Sequence, residues 1–408
     1  MYAEPYDVTM HSPFILFGAI DRHNFGDLLF PHIAAALLPG QHLVFAGLAD
    51  RDMRPYGGHP VAALSRLAAD WGEHPAVLIH VGGEVLTCDA WQAAVMLLPP
   101  EQAQHTIAYL EKVPQERLNW VRRMVGTSAL APYAVSRRLH PGLVRVIYSG
   151  VGGVELGHAN ADLRAEVLAN LKSADAVSVR DRQTLAQLVA EGISASLIPD
   201  PAVMVAELFG PRIRRRAREG EVAQVSRAFP KGYLAIQFSA TFRDDESSKQ
   251  IAAQLDQVAT SCGLGVVLFR AGAAPWHDDL ASLGKVAAWM RAGSAKVFRS
   301  LDLWDICALI ARSRAYCGSS LHGRIVAIAF ALPRVNIRHP GSTGHPSKPA
   351  AFAATWDEAC MPAEVDLRDI ASGIHAILAL ETEPLQHTAR RLAELHRQGF
   401  IAICRGLT

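Results

Sequence analysis

The sequence predicts an α/β protein built as two α/β domains around a cleft, and three observations predict it. Short apolar, β-branched runs alternate with longer segments of helical period, the rhythm of parallel strand–helix–strand units. That rhythm runs from residue 14 to residue 199, breaks at a charged stretch beginning near residue 209, and restarts at residue 233. The length of 408 residues exceeds what one core organises, which sets an expectation of about two or three domains.

In the first half, strands are predicted at "FILFGAI" (14–20), "HLVFAG" (42–47), "AVLIHV" (76–81), "VRVIYSG" (144–150), "AVSVR" (176–180) and "SASLIP" (194–199). Helical patterns such as "LRAEVLANLKSA" and "RQTLAQLVAEG" fill most gaps, the second stopping on Gly192, a residue suited to a left-handed helix end. Residues 99–143 read as a helical or irregular insertion, with "PPEQAQ" as a helix start. The run "FGPRIRRRAREGEVAQVSRAFPKG" is bracketed by Pro211 and Pro230 and shows little apolar periodicity, so residues 209–231 are read as a solvated linker. This divides the chain into an N-terminal domain (1–208), the linker, and a C-terminal domain (232–408). The second domain is predicted to carry strands at 233–240, 265–271, 295–299, 314–318 and 334–337. Its helices are expected near 247–262, 278–291, 302–312, from Leu321, and at 366–382 and 386–403.

Composition excludes several classes. Forty basic residues against 39 acidic ones leave no broad electrostatic footprint for nucleic acid. Half the residues are hydrophobic, yet no run approaches the roughly 18–20 apolar residues of a membrane span. The opening "MYAEPYDVTMHSPF" lacks a basic region and is not read as a signal peptide. Six scattered cysteines fit reduced thiols rather than a disulfide frame, so a soluble cytoplasmic protein is expected. Seventeen histidines are dispersed, without C-x-x-C or H-E-x-x-H spacing, and no metal site is expected.

In open parallel sheets ligands sit outside the carboxyl ends of the strands, and candidate residues are sought there. After the first strand, "DRHNFGD" offers Asn24, Gly26 and Asp27, either as an ordinary helix cap or as cleft lining. "VGGE" (81–84) and "SGVGG" (149–153) are glycine turns, neither matching a dinucleotide or P-loop pattern. In "AVSVRDRQ", Asp181 reads as a helix cap and Arg180 as a guanidinium aimed into the cleft, able to hold a carboxylate or phosphate. Asp200 in "IPDPAV" reads as a turn former or a cleft acid. "FRAGAAPWHDD" supplies Arg270 at a strand end and Trp276, which either stacks on a sugar ring or packs beneath its loop. The stretch "AYCGSSLHGRIVAIAF" places Ser319, Ser320, His322 and Gly323 at a helix mouth. The free N–H groups and partial positive charge there suit an anion.

"NFGD", "SVRD" with the following "PDPA", and "SSLHG-x-I-x-A-x-x-x-x-LP" occur in the order and at the separations seen in the polysaccharide pyruvyl transferase family, which the sequence resembles over roughly residues 14–340. The resemblance implies two Rossmann-like domains facing a cleft, as in GT-B glycosyltransferases. It also implies transfer of the pyruvyl unit of phosphoenolpyruvate to a saccharide, usually as a ketal, in assembly of a bacterial surface or exported glycan. His322 and Arg180 would be catalytic, with Ser319, Ser320, Gly323, Asn24, Gly26, Asp27, Arg270 and Lys348 binding substrate. Phosphoenolpyruvate would be a co-substrate and no cofactor is implied; the partners would be that donor and a saccharide acceptor, free or lipid-linked, without nucleic acid or a transmembrane segment and with room for peripheral membrane contact. Many members carry arginine where this chain has Ser320, so the missing cation is sought in Arg270, Arg324 or Lys348, although Arg324 should face another side of its helix. The segment 338–352, with His345 and Lys348, reads as a flap over the cleft or a surface loop. Two alternatives stand beside this reading: a nucleotide-sugar-dependent glycosyltransferase of the same architecture, and a non-catalytic glycan-assembly protein that retains the fold.

Overall fold

The computed structural model describes residues 12–71, 74–291, 293–338 and 345–405. The first of its two sheets has eight strands in the order Arg51–Asp52, Pro60–Ala63, Leu43–Gly47, Phe14–Phe17, Ala76–His80, Leu143–Val151, Ala176–Val179 and Ser196–Leu197. Only the edge pair Arg51–Asp52 and Pro60–Ala63 is antiparallel. The second sheet has six parallel strands in the order Ala295–Val297, Gly265–Leu268, Tyr233–Gln237, Ala315–Gly318, Arg334–Ile337 and Glu364–Val365. Central strands such as FILF, AVLIH, YLAIQ and AYCG are buried along their whole length. That is why they read as unbroken apolar runs: helices cover both faces of a parallel sheet.

In each sheet the chain builds outward from a central strand, then crosses back to build on its other side. The crevice lies where that direction reverses: between Phe14–Phe17 and Ala76–His80 in the first sheet, and between Tyr233–Gln237 and Ala315–Gly318 in the second. Both reversal points face the same cleft.

One apolar core lies outside each sheet, and a third joins the lobes. The joining core includes Leu28, Leu29 and Ile33 of the helix Phe25–Leu37, Ile306 and Leu309 of Leu303–Arg312, and Ile325 and Ile328 of Leu321–Ala329. A shared apolar core of this kind fixes one lobe against the other. Two sequence readings change here. Residues 209–231, read as a solvated linker, are largely helical: most of them lie in the helices Val205–Arg216 and Gly220–Ala228, whose Ile213, Val222 and Val225 are buried. Their apolar positions are few and separated by arginines, so the period was hard to see. The last helix, Thr382–Ile403, returns to the first lobe, where Gly399 meets Ile198 and His396 hydrogen-bonds the Pro199 carbonyl at 2.8 Å. Among the described residues no helix is long and apolar enough to cross a membrane.

Candidate functional site

The cleft has a volume of about 480 Å³. The first lobe lines it with Arg22, Asn24 and Asp27, which follow the strand Phe14–Phe17, and with Glu84 and Cys88, which follow Ala76–His80. From the second lobe come Gln237, Ser239, Trp276 and the turn Ser319–His322; Lys348 completes the wall.

The turn is built to hold the helix Leu321–Ala329 with its mouth open. Ser320 caps it, its hydroxyl accepting the Gly323 N–H at 3.2 Å. The Gln237 side-chain oxygen accepts the Ser319 and Ser320 N–H groups at 3.1 and 2.8 Å, and the Ser319 hydroxyl accepts the Ser239 N–H at 3.0 Å. Among the described residues this leaves the N–H groups of Leu321 and His322 without an acceptor. They are the orphan donors that make a helix N-terminus receptive to an anion. Gly323 does not line the cleft: a Cβ there would lie 2.4 Å from the Tyr316 hydroxyl, so this glycine lets helix and strand pack closely.

His322 crosses between the lobes. Its ring sits against Gly26, where a Cβ would come within 2.0 Å of it, and meets the edges of Phe25 and Phe30. Gly26 is thus the seat of His322 rather than a ligand contact. The His322 Nε2 lies 3.7 Å from the Asp200 carboxylate, beyond hydrogen-bond length, and has no other partner among the described residues. Asp200 is fully buried. Burial would raise its carboxyl, but the His322 ring and the Arg180 guanidinium outweigh burial and hold it down to about 2.

Arg180 corrects the expectation of a free fork. Its Nη1 donates to Asp200 at 2.9 Å and its Nη2 to Glu84 at 2.6 Å, and its side chain is 3% exposed. Burial disfavours the charge, yet Glu84 and Asp200 keep the guanidinium protonated. Gly152 makes room for this pair, since a Cβ would stand 2.3 Å from the Glu84 carboxylate and 2.7 Å from Arg180. The Trp356 indole N–H fixes the Arg180 carbonyl at 2.7 Å. Asp181 caps the helix Arg182–Ala190, as its position implied. Asp200 is both a turn former, accepting the Ala202 N–H at 2.9 Å, and a member of this ion network.

Sequence reasoning missed Arg22. Its Nη1 donates to the Tyr133 hydroxyl at 2.9 Å, and its guanidinium lies 5.1 Å from the centre of that ring. Tyr133 in turn donates to Asp21, whose other oxygen accepts the Leu48 and Ala49 N–H groups at 2.6 and 3.0 Å. Arg22 makes no ion pair among the described residues, and its Nε is buried without a partner. The signal was available: a basic residue shortly after a strand end, the argument that singled out Arg180.

Asn24 and Asp27 line the cleft. Asn24 caps its helix and its Nδ2 lies 3.4 Å from the His277 Nε2. Asp27 is buried and accepts no hydrogen bond among the described residues. His277 must donate from Nδ1 to the Pro275 carbonyl, which leaves Nε2 as acceptor; burial lowers its pKa. Asp278 accepts the Ala271 N–H and the Gln237 amide, and burial pushes its carboxyl up to about 7. Among the cations proposed to replace an arginine at position 320, only Lys348 lines the cleft. Arg270 does not line it, and Arg324 is fully buried against Asp357 and Asn336. Residues 339–344 of the expected flap lie outside the described residues. Lys348 itself opens the ordered helix Lys348–Trp356, capped by Ser347. Among the described residues no cluster of three or more His, Cys, Asp or Glu side chains is placed to hold a metal ion.

These two facing lobes have the GT-B-like fold. UDP-N-acetylglucosamine 2-epimerase from Rickettsia bellii matches with a TM-score of 0.56 at 10% identity, covering 97% of this chain and 96% of that one. The UDP-GlcNAc 2-epimerase of Methanocaldococcus jannaschii, solved with UDP-GlcNAc and UDP, matches with a TM-score of 0.52 at 9% identity, covering 94% and 99%. That of Neisseria meningitidis, bound to UDP-GlcNAc, gives 0.50 at 10% identity, covering 97% and 99%. At such identities the likeness is one of fold. The family model described as polysaccharide pyruvyl transferase matches residues 145–340, the stretch that carries Arg180, Asp200 and His322. A search of curated protein sequences finds no match.

Proposed function

We propose that the protein transfers the pyruvyl unit of phosphoenolpyruvate to a pair of saccharide hydroxyls, forming a ketal, in cytoplasmic assembly of a bacterial surface or exported glycan. The observation that carries this reading is one cleft lined by anion-binding groups that make no ion pair among the described residues: the helix mouth with its Leu321 and His322 N–H groups, which lies in the family-matched stretch, together with Arg22 and Lys348.

Phosphoenolpyruvate carries a phosphate and a carboxylate on a three-carbon frame. On this reading the helix mouth and Lys348 take the phosphate, and Arg22 takes the carboxylate. A proton added to the terminal methylene makes it a methyl group and leaves oxocarbenium character on the adjacent carbon. One saccharide hydroxyl attacks that carbon and gives up its proton. Phosphate then leaves with its electron pair, and the second hydroxyl closes the ketal, its proton going to phosphate. Atoms and electrons balance with phosphoenolpyruvate as the only co-substrate. His322, backed by Asp200, is assigned to proton transfer or phosphate contact. Asp27, a cleft carboxylate that accepts no hydrogen bond among the described residues, is assigned to receive the acceptor's proton. Arg180, Glu84 and Asp200 act as positioning residues that set the His322 ring.

The test is release of inorganic phosphate from phosphoenolpyruvate in the presence of candidate saccharides. Saccharide-dependent release that His322→Ala abolishes is expected. In a parallel thermal-shift series, phosphoenolpyruvate should raise the Tm and uridine nucleotides should not. Stabilisation by UDP alone would move the reading to a nucleotide-sugar enzyme, and stabilisation by neither would favour a non-catalytic protein.

A further inference from the structure

Trp276 is the one large aromatic side chain on the cleft wall that is substantially exposed, at 46%. It has no ring partner and no hydrogen bond among the described residues. Its backbone is left-handed, with φ +65°, a conformation that only Ala331 shares among the described non-glycine residues. Such a backbone is costly for a bulky residue and persists only where the surroundings impose it.

The surroundings do impose it. The loop 270–279 is tied to the first lobe through the Phe25 N–H on the Ala271 carbonyl at 2.9 Å, and the Ala273 and Ala274 N–H groups on the His23 carbonyl at 3.1 and 3.3 Å. Within its own lobe, Asp278 holds Ala271 and the Ala240 N–H holds the His277 carbonyl at 2.8 Å. A packing role does not account for an exposed indole carried at the rim of a cleft on a left-handed backbone that its loop's hydrogen bonds hold in place.

Resting on the proposed saccharide acceptor, we infer that Trp276 is the platform on which a pyranose ring of that acceptor stacks its apolar C–H face, with Asp27 accepting hydrogen bonds from the ring's hydroxyls. Two features of the cleft point to this occupant. An aromatic face without a partner among the described residues suits the C–H face of a sugar, and Asp27, a buried carboxylate that accepts no hydrogen bond among the described residues, gains from hydroxyl donors that offset its desolvation. Asn24 joins the two sides, capping the Asp27 helix while its amide reaches His277, the neighbour of Trp276. Trp276 is on this account a specificity residue for the acceptor and has no part in donor binding.

Saturation-transfer NMR tests this without relying on turnover, using methyl β-glucopyranoside, methyl β-galactopyranoside and methyl β-mannopyranoside as probes. At least one of them should receive saturation on its ring C–H protons from the wild-type protein. Trp276→Ala should abolish that transfer and Trp276→Phe should retain much of it. Trp276→Gly, which relieves the left-handed backbone, should raise the Tm while also losing the transfer, separating recognition from folding. With a turned-over acceptor, Trp276→Ala should raise the acceptor KM about tenfold, the scale of losing one buried aromatic face, with donor KM and kcat unchanged. Transfer that survives Trp276→Ala, or no transfer from any of the three probes to the wild type, would overturn the inference. Loss of phosphate release with the NMR result intact would instead remove pyruvyl transfer and leave the sugar platform standing.

Discussion

Arg180 and Arg22 stand in one cleft, each shortly after a strand of the first sheet, and their situations are opposite. Arg180 is held by Glu84 and Asp200, with both terminal nitrogens occupied. Arg22 leans on the neutral hydroxyl of Tyr133 and makes no ion pair among the described residues, with the Asp21 and Asp27 carboxylates acting on it only from farther off. A guanidinium already bracketed by two carboxylates organises the protein; one set on a neutral phenol is free to take an anion. Residue type and strand-end position do not distinguish these cases, whereas the partners do.

The largest effect expected from this contrast is on stability. Arg180→Met leaves the buried Asp200 and the part-buried Glu84 with no cation between them, a change that costs about 3–5 kcal/mol, readable as a lowered urea midpoint. Arg22→Met should cost less, because Asp21, the buried carboxylate on which Arg22 acts, keeps its Tyr133, Leu48 and Ala49 donors. Gly26→Ala comes next. The new methyl would meet the root of the His322 ring, which the Phe25 and Phe30 edges confine. Overpacking of this kind costs about 1–3 kcal/mol, and activity should fall with it as His322 is displaced.

The contrast in activity runs the other way. Arg22→Met should weaken donor binding by about ten- to a hundredfold, the scale of one charge-assisted contact. Arg270→Met, outside the cleft wall, should leave it unchanged. Donor titrations that weakened with Arg270 and not with Arg22 would reverse the assignment.

The smallest effect concerns pH. Asp278 titrates at about 7 in the folded protein against an ordinary 3.8, because it is buried. The folded state therefore keeps a proton that the unfolded chain has released, so this contribution is full below about pH 4 and is lost as pH rises through about 7. Asp278→Asn should flatten that decline, seen as a smaller difference between urea midpoints at pH 5 and pH 8 than in the wild type. An unchanged difference would show that the carboxyl is ionised throughout.

Much of this was legible in the sequence. The long apolar strands announced both sheets, because burial on two faces leaves no polar alternation to misread. The strands Arg51–Asp52, Pro60–Ala63 and Glu364–Val365 were not, being short and exposed or only partly buried. The "SSLHG" turn could be placed at a helix mouth because serine caps and the apolar helix after it are local signals. What Gly26, Gly152 and Gly323 do was not legible, since each makes room for a side chain distant in sequence or packed from another element. Arg22 stayed hidden because its freedom depends on Tyr133, over a hundred residues away in the insertion. The sequence leaves Trp276 open between stacking and packing, because its exposure and left-handed backbone, on which the proposed platform rests, carry no local signal.

The claim on which the rest depends is that the donor's anionic groups lie between the Leu321 helix mouth and Arg22. Titration of phosphoenolpyruvate against wild type, Arg22→Met and Arg270→Met, followed by thermal shift, addresses it directly. The account predicts saturable stabilisation of the wild type, a midpoint at least about tenfold higher for Arg22→Met, and no change for Arg270→Met. Equal midpoints for all three proteins, or no stabilisation of the wild type at all, would contradict it.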